Sequence, residues 1–272
     1  MFRKSFVLMI AAVLLFCGFH QTLAGKTLVI KGSTTVLPIA QSAVEAYMKM
    51  NPSVNISLSG GGSGDGIKAL IDKTTDIANS SRDIKKEEIE MARSKGVNPV
   101  THKVAIDAIV PVVHPRNPVK DLTIEQLSLI YQGKITNWKE VGGKDLTIIV
   151  VSRDTSSGTY ESWEKKVLSG AKVTPKAQLQ ASNGAVVQAV SKNKYAIGYI
   201  GLGYLNKSLK GLKVNGVQAS AKTALSGEYP VARPLFMFTD GAPTGEAANF
   251  INFLLGPQGQ KIVKKEGFVP LR

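Results

Sequence analysis

Cysteine is almost missing from this 272-residue chain: Cys17 stands alone, and histidine is limited to His20, His102 and His114. With one thiol and three scattered imidazoles, neither a disulfide framework nor a Cys/His zinc site can be built. No apolar run approaches the ~20 residues needed to cross a bilayer as a helix. Several motifs are absent as well. There is no Gly-x-Ser-x-Gly and no Gly-x(4)-Gly-Lys-Ser/Thr, and the glycines at 60–66 miss the Gly-x-Gly-x-x-Gly spacing, so hydrolase, Walker and Rossmann chemistries lose their signatures. No cofactor, metal or catalytic residue is implied. A secreted phosphate-ester hydrolase would need an activated nucleophile or a metal cluster, and the sequence offers neither. Acidic residues are also scarce, twenty against thirty-four Lys and Arg, for a formal charge of +14. Such a bias points to an anionic partner without choosing among nucleic acid, membrane surface and small anions.

What is present begins with a leader pattern. Arg3-Lys4 precedes an apolar stretch from Phe6 to Phe16, and Thr22-Leu23-Ala24 supplies small residues where a signal peptidase cuts, so cleavage after Ala24 and export are expected. The remaining chain keeps thirty-two basic against twenty acidic residues and has no cysteine. The rival is a lipoprotein acylated at Cys17, but bulky Phe16 departs from the small residue that motif wants.

Beyond the leader, strand-like and helix-like patches alternate. Thr27 to Ile30 reads as a buried strand, followed by Leu37, Ala40, Val44 and Tyr47 at helical spacing up to Asn51-Pro52. Val54 to Leu58 and Leu146 to Val151 repeat the unit, each leading through a polar turn into a helix. The pattern predicts an α/β chain with mainly parallel sheets flanked by helices. Two long β-rich runs, Lys103 to Val113 and Arg233 to Phe238, are suited to cross between lobes. The expected division is lobe I from 25 to 106, lobe II from 107 to 232, and a return to lobe I over 233–272, with a ligand in the cleft.

The chemistry concentrates in three loops of one design, Gly32-Ser-Thr-Thr35, Gly60-Gly-Gly-Ser-Gly-Asp-Gly66 and Arg153-Asp-Thr-Ser-Ser-Gly-Thr159. Each follows a strand and opens a helix, where backbone N–H groups lack intrahelical partners and the helix dipole favours negative charge. Hydroxyls add donors, and small residues permit close approach of a tetrahedral oxyanion. Arg153 supplies a planar fork able to grip two oxygens. Arg82, after the short strand in Asp76-Ile-Ala-Asn-Ser-Ser-Arg82, is a second candidate. The lysines, by contrast, are dispersed without interleaved aromatics, which describes a solvated basic face rather than a nucleic-acid site.

These residues resemble the phosphate-binding proteins that serve ABC-type phosphate importers, within the periplasmic binding protein superfamily. The markers are Gly32 to Thr35, Gly62 to Gly66, Asp76 to Arg82, Tyr131-Gln-Gly-Lys-Ile135 with Trp138, Arg153 to Thr159, Ala196 to Tyr199, and Gly256 to Gly259. The resemblance implies a two-lobed fold with the ligand in the interlobe cleft, no enzymatic activity, inorganic phosphate as ligand and membrane permease subunits as partners of a monomer. Its ligands would be Thr34 and Thr35, Ser63, and Arg153, Ser157, Gly158 and Thr159, with Tyr131 and Trp138 structural. Where the family places a proton-accepting aspartate, this chain has Ser81 followed by Arg82, and both are retained as candidate ligands. A serine repels a fully deprotonated anion less than a carboxylate does, which keeps sulfate, molybdate and tungstate open as alternatives. Asp65 and Asp154 are the other candidate acceptors.

Overall fold

The computed structural model describes residues 27–271. The leader, its cleavage after Ala24 and Cys17 lie outside them. The first unit runs β1 (Leu28–Ser33), α1 (Leu37–Met50), β2 (Ile56–Gly61), α2 (Ser63–Ile71), β3 (Ile77–Ser80) and α3 (Lys86–Ser94). Helix α1 starts with a proline in its first turn, where the missing N–H costs nothing, and buries Ile39, Ala40, Ala43, Val44 and Tyr47. Strand β4 (Pro99–Val113) follows, and then β5 (Asp121–Leu122), α4 (Ile124–Tyr131), β6 (Ile149–Arg153), α5 (Gly158–Lys166), β7 (Gln178–Gln180), α6 (Asn183–Ser191), β8 (Ala196–Gly201), β9 (Lys210–Gly211), β10 (Lys213–Val214) and α7 (Ala221–Leu225). The chain closes with β11 (Ala232–Asp240), α8 (Gly245–Leu255) and α9 (Pro257–Lys265).

One curled sheet orders the strands β2-β1-β3-β11-β4-β8-β6-β7, with β9 on the end of β4 and a separate β5-β10 pair. The outer strands are parallel: β1 with β2 and β3, and β6 with β7 and β8. The central ones are antiparallel, because β4 and β11 run past each other from Ala232 opposite Ala108 to Asp240 opposite Pro99. At Ile109, β4 changes partner and pairs β8 as far as Val113. Fifteen residues of strand span about 50 Å, so one strand serves both halves of the sheet.

The apolar packing divides at the same place. Val104 and Ala105 join a core with β1, α1, α8 and α9, while Ile67, Leu70, Phe236 and Phe238 fill the opposite face of that half. Ala108 to Val113 join a second core around Trp138, Trp163 and Tyr199. A chain burying separate cores on the two halves of one continuous sheet is a two-lobed α/β fold. Leu146 and Ile148, expected within a strand, lie ahead of β6. Their backbone groups bond instead to the 136–138 segment, Trp138 N–H to Leu146 O at 2.9 Å and Ile148 N–H to Thr136 O at 2.8 Å.

Candidate functional site

The three loops converge although about 120 residues separate the first from the last. All three sit at the C-terminal ends of parallel strands, β1, β2 and β6, where α/β sheets leave a crevice. Thr35 Oγ1 lies 2.8 Å from Thr159 Oγ1. Ser63 Oγ accepts from Ser81 N–H at 3.0 Å and stands 3.3 Å from Ser81 Oγ. Gly64 N–H donates to Ser156 O at 3.0 Å, which joins the second loop to the third. Thr34, Thr35, Ser63, Ser81, Arg153, Ser157 and Thr159 are all buried. Ser157 caps α5, accepting from Thr159 N–H at 3.2 Å and Tyr160 N–H at 3.3 Å, so its hydroxyl proton points elsewhere. Glycine is obligatory at 158, where a Cβ would stand 2.3 Å from Ser63 Oγ and 2.8 Å from Ser81 Oγ. The same holds at 62, where a Cβ would meet Ser156 Oγ at 2.1 Å.

Arg153 is the cation of this cluster. It ends β6 and is 1% exposed. Tyr199 OH accepts from its backbone N–H at 3.2 Å, and Trp163 stacks on Tyr199 at 4.5 Å between ring centroids. Its Nε donates to Gln180 O at 2.9 Å and Nη2 to Ala181 O at 3.0 Å, while Nη1 is buried with no hydrogen-bond partner. Burial pulls the guanidinium below its ordinary value and Asp154, with a carboxylate oxygen 3.9 Å from Nη2, opposes this. A guanidinium keeps its proton under such a shift. A buried donor left unmatched costs about 1–3 kcal/mol, and an anion oxygen at Nη1 would recover it.

Asn183 was not singled out from the sequence, yet it belongs to the cluster. Its Oδ1 accepts from Gly201 N–H at 3.1 Å, which fixes the amide, and its Nδ2 donates to Thr34 Oγ1 at 3.2 Å and Thr35 Oγ1 at 3.0 Å. A hydroxyl that accepts from a fixed amide turns its own proton away from it, so Asn183 sets Thr34 and Thr35 as donors. The available signal was the Ser182-Asn183-Gly184 start of α6 after β7, a fourth loop of the same design. Gln180 and Ala181, which hold Arg153, belong to that loop too.

Arg82 is not brought to the donors. Its Nη1 and Nη2 grip both oxygens of Glu88 at 2.7 Å, Nη1 also donates to Asp83 O at 2.8 Å, and Nε lies 2.9 Å from Glu161 Oε2. Two carboxylates have claimed the fork, one from α3 and one from α5, and Lys85 Nζ joins Glu161 at 2.8 Å. The carboxylates of the other two loops are likewise committed. Asp65 accepts from Gly62 N–H at 2.7 Å, and Asp154 accepts from Ser156 N–H at 2.9 Å and Oγ at 2.6 Å. His102 bonds Thr239 and His114 closes a local turn on Arg116. The assembled chemistry is that of hydroxyl and amide donors around the buried Arg153, suited to an oxyanion.

The chain is similar to several known proteins. Residues 19–258 match the family described as PBP superfamily domain. The phosphate-binding protein PstS of Bacillus subtilis is 36% identical over 250 residues, covering 91% of this chain and 82% of that protein. PstS of Borreliella burgdorferi is 36% identical over 259 residues, covering 91% of each. Among solved structures, a putative phosphate ABC transporter substrate-binding protein of Clostridium perfringens, with bound phosphate, is 37% identical. It superposes with a TM-score of 0.84, covering 90% of this chain and all of that one.

Proposed function

The chain belongs to the phosphate-binding proteins of the periplasmic binding protein superfamily, and from this we propose that it captures inorganic phosphate and hands it to the membrane permease of an ABC-type importer. Arg153 supports this most directly: its buried guanidinium is held by two carbonyls, and its Nη1 is a buried donor without a partner. Around it, Thr34, Thr35, Ser63, Ser81, Ser157, Gly158 and Thr159 form the ligand set, Asn183 orients the first two, and Arg82 is set aside. Capture and release require no bond to be made or broken, so the protein acts as a binding protein rather than a catalyst.

The working cycle is hinge closure. Residues 25–106 and 233–272 form one lobe and 107–232 the other, joined by β4 and β11. Phosphate bound to one set of loops recruits the other, and the closed form is what the permease reads. The leader directs export with cleavage after Ala24, and the mature chain works as a monomer.

Titration calorimetry of the chain from Gly25 onward tests the ligand. Phosphate is expected to bind more tightly than sulfate, molybdate or tungstate and to raise the melting temperature with the logarithm of its concentration. Tighter binding of another oxyanion would replace phosphate in this reading, and turnover of a phosphate ester that survives repurification would end the non-catalytic one.

A further inference from the structure

A charged pair on the two strands that join the halves of the sheet is left unused by the ligand set above. Asp107 on β4 and Arg233 on β11 stand opposite each other in register, 0% and 4% exposed. Arg233 donates to Asp107 Oδ2 from Nη2 at 2.9 Å and from Nε at 3.1 Å, while Asp107 Oδ1 accepts from Leu202 N–H at 2.9 Å. Burial pushes Asp107 up and Arg233 down, and each partner opposes the shift in the other. The pair therefore adds little net charge to its surroundings.

The remaining donors of Arg233 reach the candidate site from behind. Nη1 donates to Ser81 O at 3.0 Å and to Gly158 O at 3.1 Å. Nη2 donates to Thr159 Oγ1 at 2.9 Å and, at greater length, to Thr35 Oγ1 at 3.4 Å. Ser81 and Thr35 follow β3 and β1, whereas Gly158 and Thr159 open α5 on the other half of the sheet. One guanidinium thus holds both walls of the cluster while anchored on the strand between them.

Resting on the phosphate reading, we propose that Arg233 is a positioning residue that couples closure to retention of the anion. Its full set of bonds exists only when both walls are in place, so it stabilises the closed arrangement over any in which they separate. It also donates to Thr159, whose hydroxyl then turns its proton away from the guanidinium and toward the ligand. Because Asp107 offsets its charge, Arg233 acts on escape of the anion and not on its attraction. A lysine there could keep the bond to Asp107 but has no planar fork to reach two carbonyls and two hydroxyls at once.

Stopped-flow phosphate binding to Arg233→Lys, paired with small-angle scattering, tests this. Expected are dissociation at least tenfold faster, association within twofold of the parent, and a smaller contraction at saturating phosphate. A merely structural arginine would lower the melting temperature and leave the ratio of the two rates unchanged. Parent-like dissociation, or a loss carried by association, overturns the proposal. If Arg233→Lys does not fold, the Asp107→Asn/Arg233→Gln protein keeps polar groups at both positions and is read by the same rates and outcomes. Should the parent itself ignore phosphate, the proposed function fails first, and this result is distinct from any of the others.

Discussion

Replacing Arg153 by lysine isolates the geometry of the fork from its charge. In the parent, Nε and Nη2 are held by the carbonyls of Gln180 and Ala181, and Nη1 is the buried donor without a partner. A lysine ammonium can satisfy one or two of these demands but not all three, since its donors radiate from a single nitrogen. If it bonds the carbonyls, the anion loses a charge-assisted hydrogen bond worth about 1.5–3 kcal/mol. If it bonds the anion, the two carbonyls lose their donor in a buried position, at comparable cost. Either way phosphate binding weakens by at least about 1.4 kcal/mol, tenfold in Kd, and by as much as a hundredfold. The ligand-free fold should change little, because without ligand the ammonium can stay on the Gln180 and Ala181 carbonyls while Tyr199 keeps the backbone N–H of residue 153. Calorimetry of the two proteins, with thermal melts in the absence of phosphate, measures both quantities. A Kd within threefold of the parent, with an unchanged melt, would refute the placement of the anion at Nη1.

Asn183→Leu removes the amide that sets Thr34 and Thr35 as donors, and phosphate Kd should rise about tenfold, for roughly 1–2 kcal/mol by calorimetry. Glu161→Gln breaks the bridge from α5 to Arg82 and Lys85, and a weakening of phosphate Kd by about three- to tenfold is expected by calorimetry. Ser81→Asp places a carboxylate where a buried hydroxyl now stands, and the ratio of sulfate to phosphate Kd should rise, since only a protonated oxyanion can donate to it; an unchanged ratio at pH 6 and pH 8 locates selectivity elsewhere. Lys68 and Lys95 hold the half-buried Asp72 carboxyl down to about 2, so its contribution to stability is present above the usual carboxylate range and is lost as pH falls toward 2. Asp72→Asn should therefore flatten the acid limb of a pH–stability profile.

Local order settles much of this protein. The alternation of β-branched runs with 3.6-residue spacing, and the Gly/Ser/Thr turns that open helices, are short-range properties, and the α/β class, the three loops and Arg153 follow from them. The tertiary structure decided which of these donors come together. Arg153 ends β6 and Arg82 follows β3, and although the hydroxyl-rich loop after Arg153 favours it as the ligand cation, nothing within a few residues shows what the Arg82 side chain binds. Glu88 lies on the next helix, but Glu161 is 79 positions away, and only the fold brings both carboxylates to Arg82. Asn183 reaches Thr34 and Thr35 across about 150 positions, and Arg233 bonds Thr35 across 198. A side chain's spacing along an element shows which face it occupies, whereas its partner depends on which other element the core packs against that face. For Asn183 and Arg233 that choice was made by the curl of one sheet, which brings the ends of β1, β3 and β6 to the same crevice.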